Sequence, residues 1–199
     1  MTNSKLKTQN SKLNFRLYLI SDRQRTGGRP LVSALLAAAE AGVRVMQLRE
    51  KDLTPRELFA LATEARTALE PLGTKLLLND RADIARAAGL AGVQLTATSL
   101  SPAAARCCLP AGALVGVSCH TLAEARFAEQ FGADFITFSP IFYTPSKAAY
   151  GEPQGLAKLA EVCAAVDIPV FALGGVTPAR RDPAGAPAAA GTSTSSPAP

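Results

Sequence analysis

Short apolar segments alternate with longer amphipathic segments along most of the chain. The apolar segments are rich in Val, Leu and Ile, which is typical of strands that are covered on both faces. The amphipathic segments carry apolar residues at helical spacing. The predicted strands are residues 17–20, 43–48, 75–78, 92–95, 114–117, 134–138 and 169–173, and the predicted helices are residues 30–42, 54–70, 83–88, 102–107, 121–131 and 155–165.

This alternation predicts an α/β fold with a parallel sheet. Strands that alternate with helices form right-handed βα units, in which each strand lies beside the next. Seven such units are more than most doubly wound sheets of ordinary size contain, so the pattern indicates a TIM (β/α)8-type barrel. In barrels of this type, the functional side chains lie at the carboxyl ends of the strands.

The two ends of the chain do not follow the pattern. Residues 1–14 are polar and predict a disordered arm, while residues 179–199 are rich in Ala, Pro, Gly, Ser and Thr and predict a low-complexity tail. We therefore expect a barrel domain over residues 15–178 that stops one βα unit short, as in a truncated or frame-shifted version of a longer barrel. Its first and seventh strands would be unpaired edges, which a homo-oligomer would cover.

Composition narrows the class of protein. No apolar run reaches the ~18 residues of a membrane span, and no signal-peptide pattern follows the basic N-terminal arm, so we expect a cytoplasmic protein without a membrane partner. The net charge is +5, but the basic residues are dispersed among few aromatic ones. This favours anionic small molecules over nucleic acid.

The four cysteines fit no paired zinc spacing, and three of them are expected to be reduced core thiols.

The stretch after the sixth predicted strand carries the first chemical signal. The strand is expected to end at Ser139-Pro140, because proline cannot donate a hydrogen bond to a central ladder. The loop that follows contains Thr144, Ser146 and Lys147, two hydroxyls and one ammonium that suit a phosphate or diphosphate. Taken alone, the same loop is more typical of a solvated surface than of a binding site.

Other polar residues follow the remaining predicted strands. A carboxylate, cations, hydroxyls and glycines gathered at one edge suit a diphosphate with a hard cation. Ordinary structural roles are also available: Arg49 could pair with a nearby Glu, and Asp80 could cap the next helix. His120 alone would more often be structural, and Gly174-Gly175 could be a tight turn. The shared location favours a site that contains Arg49, Lys51, Asn79, Asp80, Ser118, His120, Thr144, Ser146, Lys147, Gly174 and Gly175.

Six motifs occur in this order: Gln47-Leu-Arg-Glu-Lys51, Asn79-Asp80-Arg81, Gly116-Val-Ser-Cys-His120, Gly132-Ala-Asp134, Pro140-Ile-Phe-Tyr-Thr-Pro-Ser-Lys147 and Ala172-Leu-Gly-Gly-Val176. Together they resemble the signature of the thiamine phosphate synthase family, which includes the related thiazole tautomerases. The resemblance covers about residues 15–178 in one register. It implies a barrel enzyme of thiamine biosynthesis.

The resemblance also implies a reaction. In the family, hydroxymethylpyrimidine diphosphate loses its diphosphate with the help of Mg²⁺, and the nitrogen of thiazole phosphate captures the pyrimidine cation. Catalysis of this kind stabilises a departing anion and positions a nucleophile, with little need for a general base.

Residue roles follow from the resemblance as expectations. Asp80 would ligate Mg²⁺, and Ser118 and Lys147 would hold the departing diphosphate, with Lys147 stabilising its charge. The remaining substrate contacts would be made by Gln47, Arg49, Lys51, Asn79, Thr144, Ser146 and Gly175.

Two features leave other functions open. The turn Gln94-Leu-Thr-Ala-Thr-Ser99 lacks the second Mg²⁺-binding carboxylate that synthases carry there, and this segment looks more like the tautomerase branch. In that branch, a His matching His120 would move a proton on a thiazole carboxylate phosphate. A barrel that lacked its last unit would instead suit a non-catalytic remnant that binds thiamine phosphate or diphosphate.

The loop assignment predicts a large effect of the Lys147→Ala substitution. Diphosphate release from the pyrimidine substrate should fall by at least ~10²-fold, because one preorganised charge contact to the leaving group is removed. A near-wild-type rate of diphosphate release would show that the loop has been assigned wrongly.

Overall fold

Parallel strand pairing closes the chain into a barrel. The computed structural model describes residues 13, 15–143, 152–177 and 188–191. Among these residues, eight strands follow one another in chain order, and each is hydrogen-bonded to the next. The last strand pairs with the first, in parallel. The predicted TIM (β/α)8-type fold is therefore confirmed.

The elements lie close to their predicted positions. The strands are β1 Leu17–Ile20, β2 Val45–Leu48, β3 Lys75–Asn79, β4 Gly92–Leu95, β5 Leu114–Cys119, β6 Phe135–Phe138, β7 Val170–Ala172 and β8 Ala188–Gly191. The helices are α1 Leu31–Glu40, α2 Pro55–Leu69, α3 Ala82–Ala87, α4 Pro102–Cys108, α5 Leu122–Gln130 and α6 Gly155–Ala165. None of these helices has the length and apolarity needed to cross a membrane.

An eighth strand, which the sequence did not predict, pairs with both neighbours. Its register with β1 runs from Leu17↔Ala188 to Ile20↔Gly191, and it meets β7 at Ala172↔Ala188. The expectation of unpaired edges at β1 and β7 is therefore wrong, and the reason for expecting a homo-oligomer over those edges disappears. Alanine has a weak strand preference, but the backbone groups of an open barrel edge can pair with any backbone.

The rest of the two chain ends lies outside the described residues. This applies to residues 1–12 and 14 of the predicted arm and to residues 178–187 and 192–199, which include most of the predicted tail.

Aromatic rings fill the amino-terminal part of the barrel interior. Alternate residues of a strand face the same side, so Tyr18, Phe135 and Phe171 point into the barrel together and are buried. Phe15 stacks on Phe171 with 5.0 Å between the ring centroids, and Tyr18 meets Phe135 edge-on at 5.3 Å. Burial of one such ring stabilises the fold by about 1.5–3 kcal/mol. This layer therefore stabilises the barrel that carries the carboxyl ends of the strands.

Two helices begin with a Thr that is followed three residues later by a Glu, and one of these two starts is a complete capping box. At the start of α2, the Thr54 hydroxyl accepts from the Glu57 N–H, and the Glu57 carboxylate accepts from the Thr54 N–H at 2.9 Å. At the start of α5, the Thr121 hydroxyl accepts from the Glu124 N–H at 3.1 Å. The Glu124 carboxylate, however, accepts from the backbone N–H of His120. This bond anchors the residue after β5.

The Gly132-Ala-Asp134 motif has a structural role below the barrel. The Arg106 guanidinium donates to the carbonyl oxygens of Gly132 and Ala113 and lies 2.7 Å from Asp134 Oδ2. The same carboxylate oxygen accepts from the buried Val115 N–H at 2.8 Å. Arg106 and Asp134 thus join α4, β5 and the start of β6.

The cysteines differ in part from the prediction of three core thiols. All four are free, but Cys119 alone is buried. Cys108 is half-buried, and Cys107 and Cys163 are exposed. Cys107 lies away from the face of α4 that Pro102 and Ala105 bury, whereas Cys108 packs partly against the core.

The contacts of Asp134 with Arg106 and with the Val115 N–H predict that Asp134→Ala is destabilising. The free energy of unfolding should fall by about 1–3 kcal/mol, because the buried Val115 N–H loses its acceptor. Urea unfolding measures this difference. Glu64→Ala removes an exposed carboxylate on α2 and is the control, with an expected change within about 0.5 kcal/mol. Equal effects of the two substitutions would contradict the structural role of the Asp134 contacts.

Candidate active site

The carboxyl ends of adjacent parallel strands bring several predicted site residues to one mouth of the barrel. Gln47 is the third residue of β2, Asn79 ends β3, and Ser118 is the fifth residue of β5. The register places Asn79 beside Gln94 and Ser118 beside Thr137. The loops that carry Arg49, Lys51, Asp80 and His120 follow directly, so these residues lie at the same end of the molecule.

Three charged residues at the mouth, Arg49, Lys51 and Asp80, form no salt bridge with any other described residue. Lys51 and Asp80 are exposed and Arg49 is half-buried. Within the described part of the chain, none of the three takes part in a salt bridge. The nearby carboxylate, Glu50, lies 3.6 Å from Arg23 Nε instead. The pairing of Arg49 with a local Glu is thus not observed.

Asp80 occupies a constrained turn between β3 and α3. Its φ is 67°, the left-handed region that residues other than glycine rarely adopt. Its N–H donates to the Gln94 carbonyl at 2.9 Å and its carbonyl accepts from the Ala82 N–H at 3.0 Å. The N-cap residue of α3 is Arg81, so Asp80 is not the cap. The turn is held from both sides and leaves the carboxylate of Asp80 at the surface.

A buried carboxylate that the sequence did not single out joins the ends of β1 and β2. Glu50 accepts from the Ser21 hydroxyl at 2.6 Å and from the Arg23 N–H at 3.3 Å. Ser21 Oγ in turn accepts from the Arg49 N–H at 2.9 Å. Glu50 therefore holds the segment on which Arg49 and Lys51 lie. A Glu within a charged run gives no sequence signal that it is buried.

A chain of hydrogen bonds crosses the barrel interior just above the aromatic layer. Gln47 Nε2 donates to the Tyr18 hydroxyl at 3.2 Å, and that hydroxyl donates to Gln94 Oε1 at 3.2 Å. Gln94 Nε2 donates to Ser118 Oγ at 3.1 Å and to Thr137 Oγ1 at 3.4 Å. Burial raises the pKa of Tyr18, so the phenol stays neutral. A Gln inside an otherwise apolar strand was the available signal for this network.

Gly116 provides the space that this network needs. A Cβ added at Gly116 would lie 2.3 Å from Gln94 Oε1 and 2.4 Å from the Phe135 ring. Real Cβ atoms do not approach other atoms so closely, so only glycine lets the Gln94 side chain cross the barrel here.

His120 is held by the backbone after β6. Its Nδ1 lies 2.7 Å from the carbonyl oxygen of Ser139. A carbonyl oxygen only accepts, so Nδ1 carries the hydrogen and the ring is kept in one tautomer. The neighbouring Cys119 is a neutral thiol rather than a thiolate, because burial raises its pKa to about 12.

The loops after β6 and β7 are joined through their backbones. The N–H groups of Ile141 and Phe142 donate to the carbonyls of Leu173 and Gly174, both at 2.9 Å. A Cβ at Gly175 would lie 2.7 Å from the Phe142 Cβ, so the close approach requires glycine. Three predicted site residues farther along the first loop lie outside the described residues: Thr144, Ser146 and Lys147.

The donor set fits a cation that takes only part of its ligands from protein. The described residues contain no group of three or more His, Cys, Asp or Glu side chains that could enclose a metal. Asp80 offers one exposed carboxylate, and the turn after β4 offers hydroxyls, with Thr96 Oγ1 3.0 Å from Ser99 Oγ. Mg²⁺ is commonly held by one or two carboxylates together with substrate phosphates and water.

Comparison with known proteins identifies the family. The sequence model of the family described as thiamine monophosphate synthase matches residues 17–197. The chain belongs to this family. The suggested resemblance is confirmed, and thiamine monophosphate synthases are transferases of thiamine biosynthesis.

Individual relatives agree with this assignment. A Geobacter sulfurreducens protein provisionally named a thiamine-phosphate synthase is 50% identical over 181 residues, which cover 91% of this chain and 85% of the relative. The thiamine-phosphate synthase of Syntrophomonas wolfei is 39% identical, with 82% and 78% covered. The structure of a thiamine phosphate pyrophosphorylase from Pyrococcus furiosus superposes with a TM-score of 0.73 at 30% identity, covering 81% of this chain and 75% of that one.

The buried anchor of the β2 loop predicts a difference between two neighbouring carboxylates. Glu50→Ala should lower the free energy of unfolding by about 1–3 kcal/mol, because the Ser21 hydroxyl and the Arg23 N–H lose their acceptor. Asp52→Ala removes an exposed carboxylate that pairs with the same Arg23, and it should cost less than about 1 kcal/mol. Denaturant unfolding compares the two, and a larger loss for Asp52→Ala would refute the anchoring role.

Proposed function

We propose that this chain is a thiamine phosphate synthase that joins hydroxymethylpyrimidine diphosphate to thiazole phosphate and releases diphosphate. The observation that supports this most is a set of charges at the mouth of a barrel of this family that form no salt bridge with any other described residue. Arg49 and Lys51 follow β2, and Asp80 follows the adjacent β3. The proposal includes a cytoplasmic location, because both substrates are charged small molecules.

The cations supply the binding energy for the diphosphate in this proposal. Arg49 and Lys51 have no carboxylate partner within the described residues, so a bound anion need not displace one. A guanidinium can bind two phosphate oxygens at once, and an ammonium acts as a compact charge. Lys147 would add a second ammonium, and it would stabilise the charge of the leaving group.

Asp80 is the proposed ligand for Mg²⁺. A single carboxylate on a rigid turn suits a cation that completes its coordination with diphosphate oxygens and water. Bound there, the cation would neutralise part of the diphosphate charge. The left-handed turn at Asp80 supports this role, because strained backbone conformations concentrate at functional sites.

The neutral groups of the mouth would position the substrates. Ser118 would donate a hydrogen bond to the departing diphosphate, and Gln47 and Asn79 would contact the substrates with their amides. Thr144, Ser146 and Gly175 would line the pocket of the thiazole phosphate. Together these groups would hold the thiazole nitrogen close to the pyrimidine cation, which raises the rate through orientation.

A thiazole tautomerase is the second candidate, because the turn after β4 carries hydroxyls where synthases carry a carboxylate. In this function His120 would move the proton. Its Nδ1–H is bound to the Ser139 carbonyl, which makes Nε2 the basic nitrogen of the ring.

The synthase proposal predicts a strong effect of Asp80→Asn. Purified protein supplied with both substrates and Mg²⁺ should form thiamine phosphate and diphosphate, and chelation of the metal should stop the reaction. Asp80→Asn should lower the rate by about 10²-fold, since a charged group that stabilises the transition state is lost. Glu64→Gln, which changes an exposed carboxylate on α2, is the control and should keep the wild-type rate.

The other outcomes separate the alternatives. Isomerisation of thiazole carboxylate phosphate that is lost in His120→Ala, without diphosphate release from the pyrimidine substrate, would favour the tautomerase. Absence of both activities would favour a non-catalytic remnant, and thermal stabilisation by thiamine phosphate or diphosphate, with or without Mg²⁺, would show whether that remnant still binds these ligands.

A further inference from the structure

The hydroxyl of Ser118 accepts two hydrogen bonds from inside the barrel. Gln94 Nε2 lies 3.1 Å from Ser118 Oγ, and the Thr137 hydroxyl donates to the same oxygen at 3.3 Å. A serine hydroxyl has two acceptor positions and one hydrogen. Both acceptor positions are taken, so the hydrogen of Ser118 remains for an acceptor elsewhere, and Ser118 itself is only half-buried.

Which groups donate and which accept in this network is set at its far end, by Gln47 and Tyr18. Gln47 Nε2 donates to the Tyr18 hydroxyl, so the Tyr18 hydrogen goes to Gln94 Oε1. With its oxygen facing Tyr18, the amide of Gln94 turns its nitrogen to Ser118. Tyr18 and Gln94 are 0% and 1% exposed, so water does not compete for these bonds.

We propose that Gln94 is a positioning residue that fixes the Ser118 hydroxyl as a hydrogen-bond donor towards the anion bound at the mouth. The proposal deepens the synthase function and rests on it, since the anion is the diphosphate group of the substrate and product. Gln94 does not touch that anion; it acts through Ser118. Without the Gln94 amide, the Ser118 hydroxyl could turn its hydrogen inward to Thr137 and would no longer be held as a donor.

The barrel is built around this side chain. Gly116 lies beside Gln94 in the register and leaves room for its amide, whereas a Cβ would lie 2.3 Å from Gln94 Oε1. The same amide links Ser118 on β5 to Tyr18 on β1, and through Tyr18 to Gln47 on β2.

A double-mutant cycle tests the proposal. Binding of inorganic diphosphate in the presence of Mg²⁺ is measured by calorimetry for wild type, Gln94→Met, Ser118→Ala and the double variant. Gln94→Met alone should weaken binding by about tenfold, because a hydrogen bond to a charged group is lost. In the Ser118→Ala background, the same change should have less than about a twofold effect, because the hydroxyl that Gln94 orients is absent.

Equal losses in the two backgrounds would overturn the proposal, because Gln94 would then act without Ser118. If Gln94→Met does not fold, Gln94→Leu replaces it in the same cycle, since it also removes the amide and keeps an apolar side chain. Diphosphate binding is measured without turnover. A wild-type protein that binds diphosphate but makes no thiamine phosphate would therefore overturn the proposed function, while the cycle still decides the role of Gln94.

Discussion

Hydrogen bonding between adjacent parallel strands is the interaction on which the other features of this molecule depend. It fixes the order β1 to β8 and the register of each pair. Because all strands run in the same direction, residues far apart in the chain meet at one mouth. Asn79 lies beside Gln94, and Ser118 beside Thr137, for this reason alone. The chemistry of the mouth is therefore a consequence of pairing, with each loop adding its charges to a fixed frame.

Two layers with different physics share the interior of this frame. The lower layer is apolar and consists mainly of rings, such as Tyr18, Phe135 and Phe171. The upper layer is polar and buried, so each of its groups must find a partner or lose stability. The Tyr18 side chain belongs to both, because its ring packs below and its hydroxyl bonds above. This division lets the barrel keep a dense core and still present oriented polar groups to a ligand.

The sequence predicted the barrel because the apolar pattern is strong in seven segments and because six motifs follow one family's order. It missed β8, since the alanines of residues 188–190 have neither the size nor the branching that mark a strand. It missed Glu50 because charged residues are expected at the surface, and only the folded chain brings Ser21 and Arg23 to this carboxylate. It placed Asp80 and Arg49 correctly at the strand ends, but only coordinates show that neither forms a salt bridge within the described part of the chain.

The closing strand also determines where the barrel is weakest. β8 pairs with β1 along four residue pairs, whereas among the described residues it meets β7 at the single pair Ala172↔Ala188. Transient local opening starts where few backbone bonds hold two segments together. We therefore expect the seam between β7 and β8 to open first. Its amide hydrogens should exchange with solvent while those on the opposite side of the barrel stay protected. Gly174 and Gly175 lie at the mouth end of this seam. We therefore expect this side of the mouth to be the one that widens when a bulky product leaves.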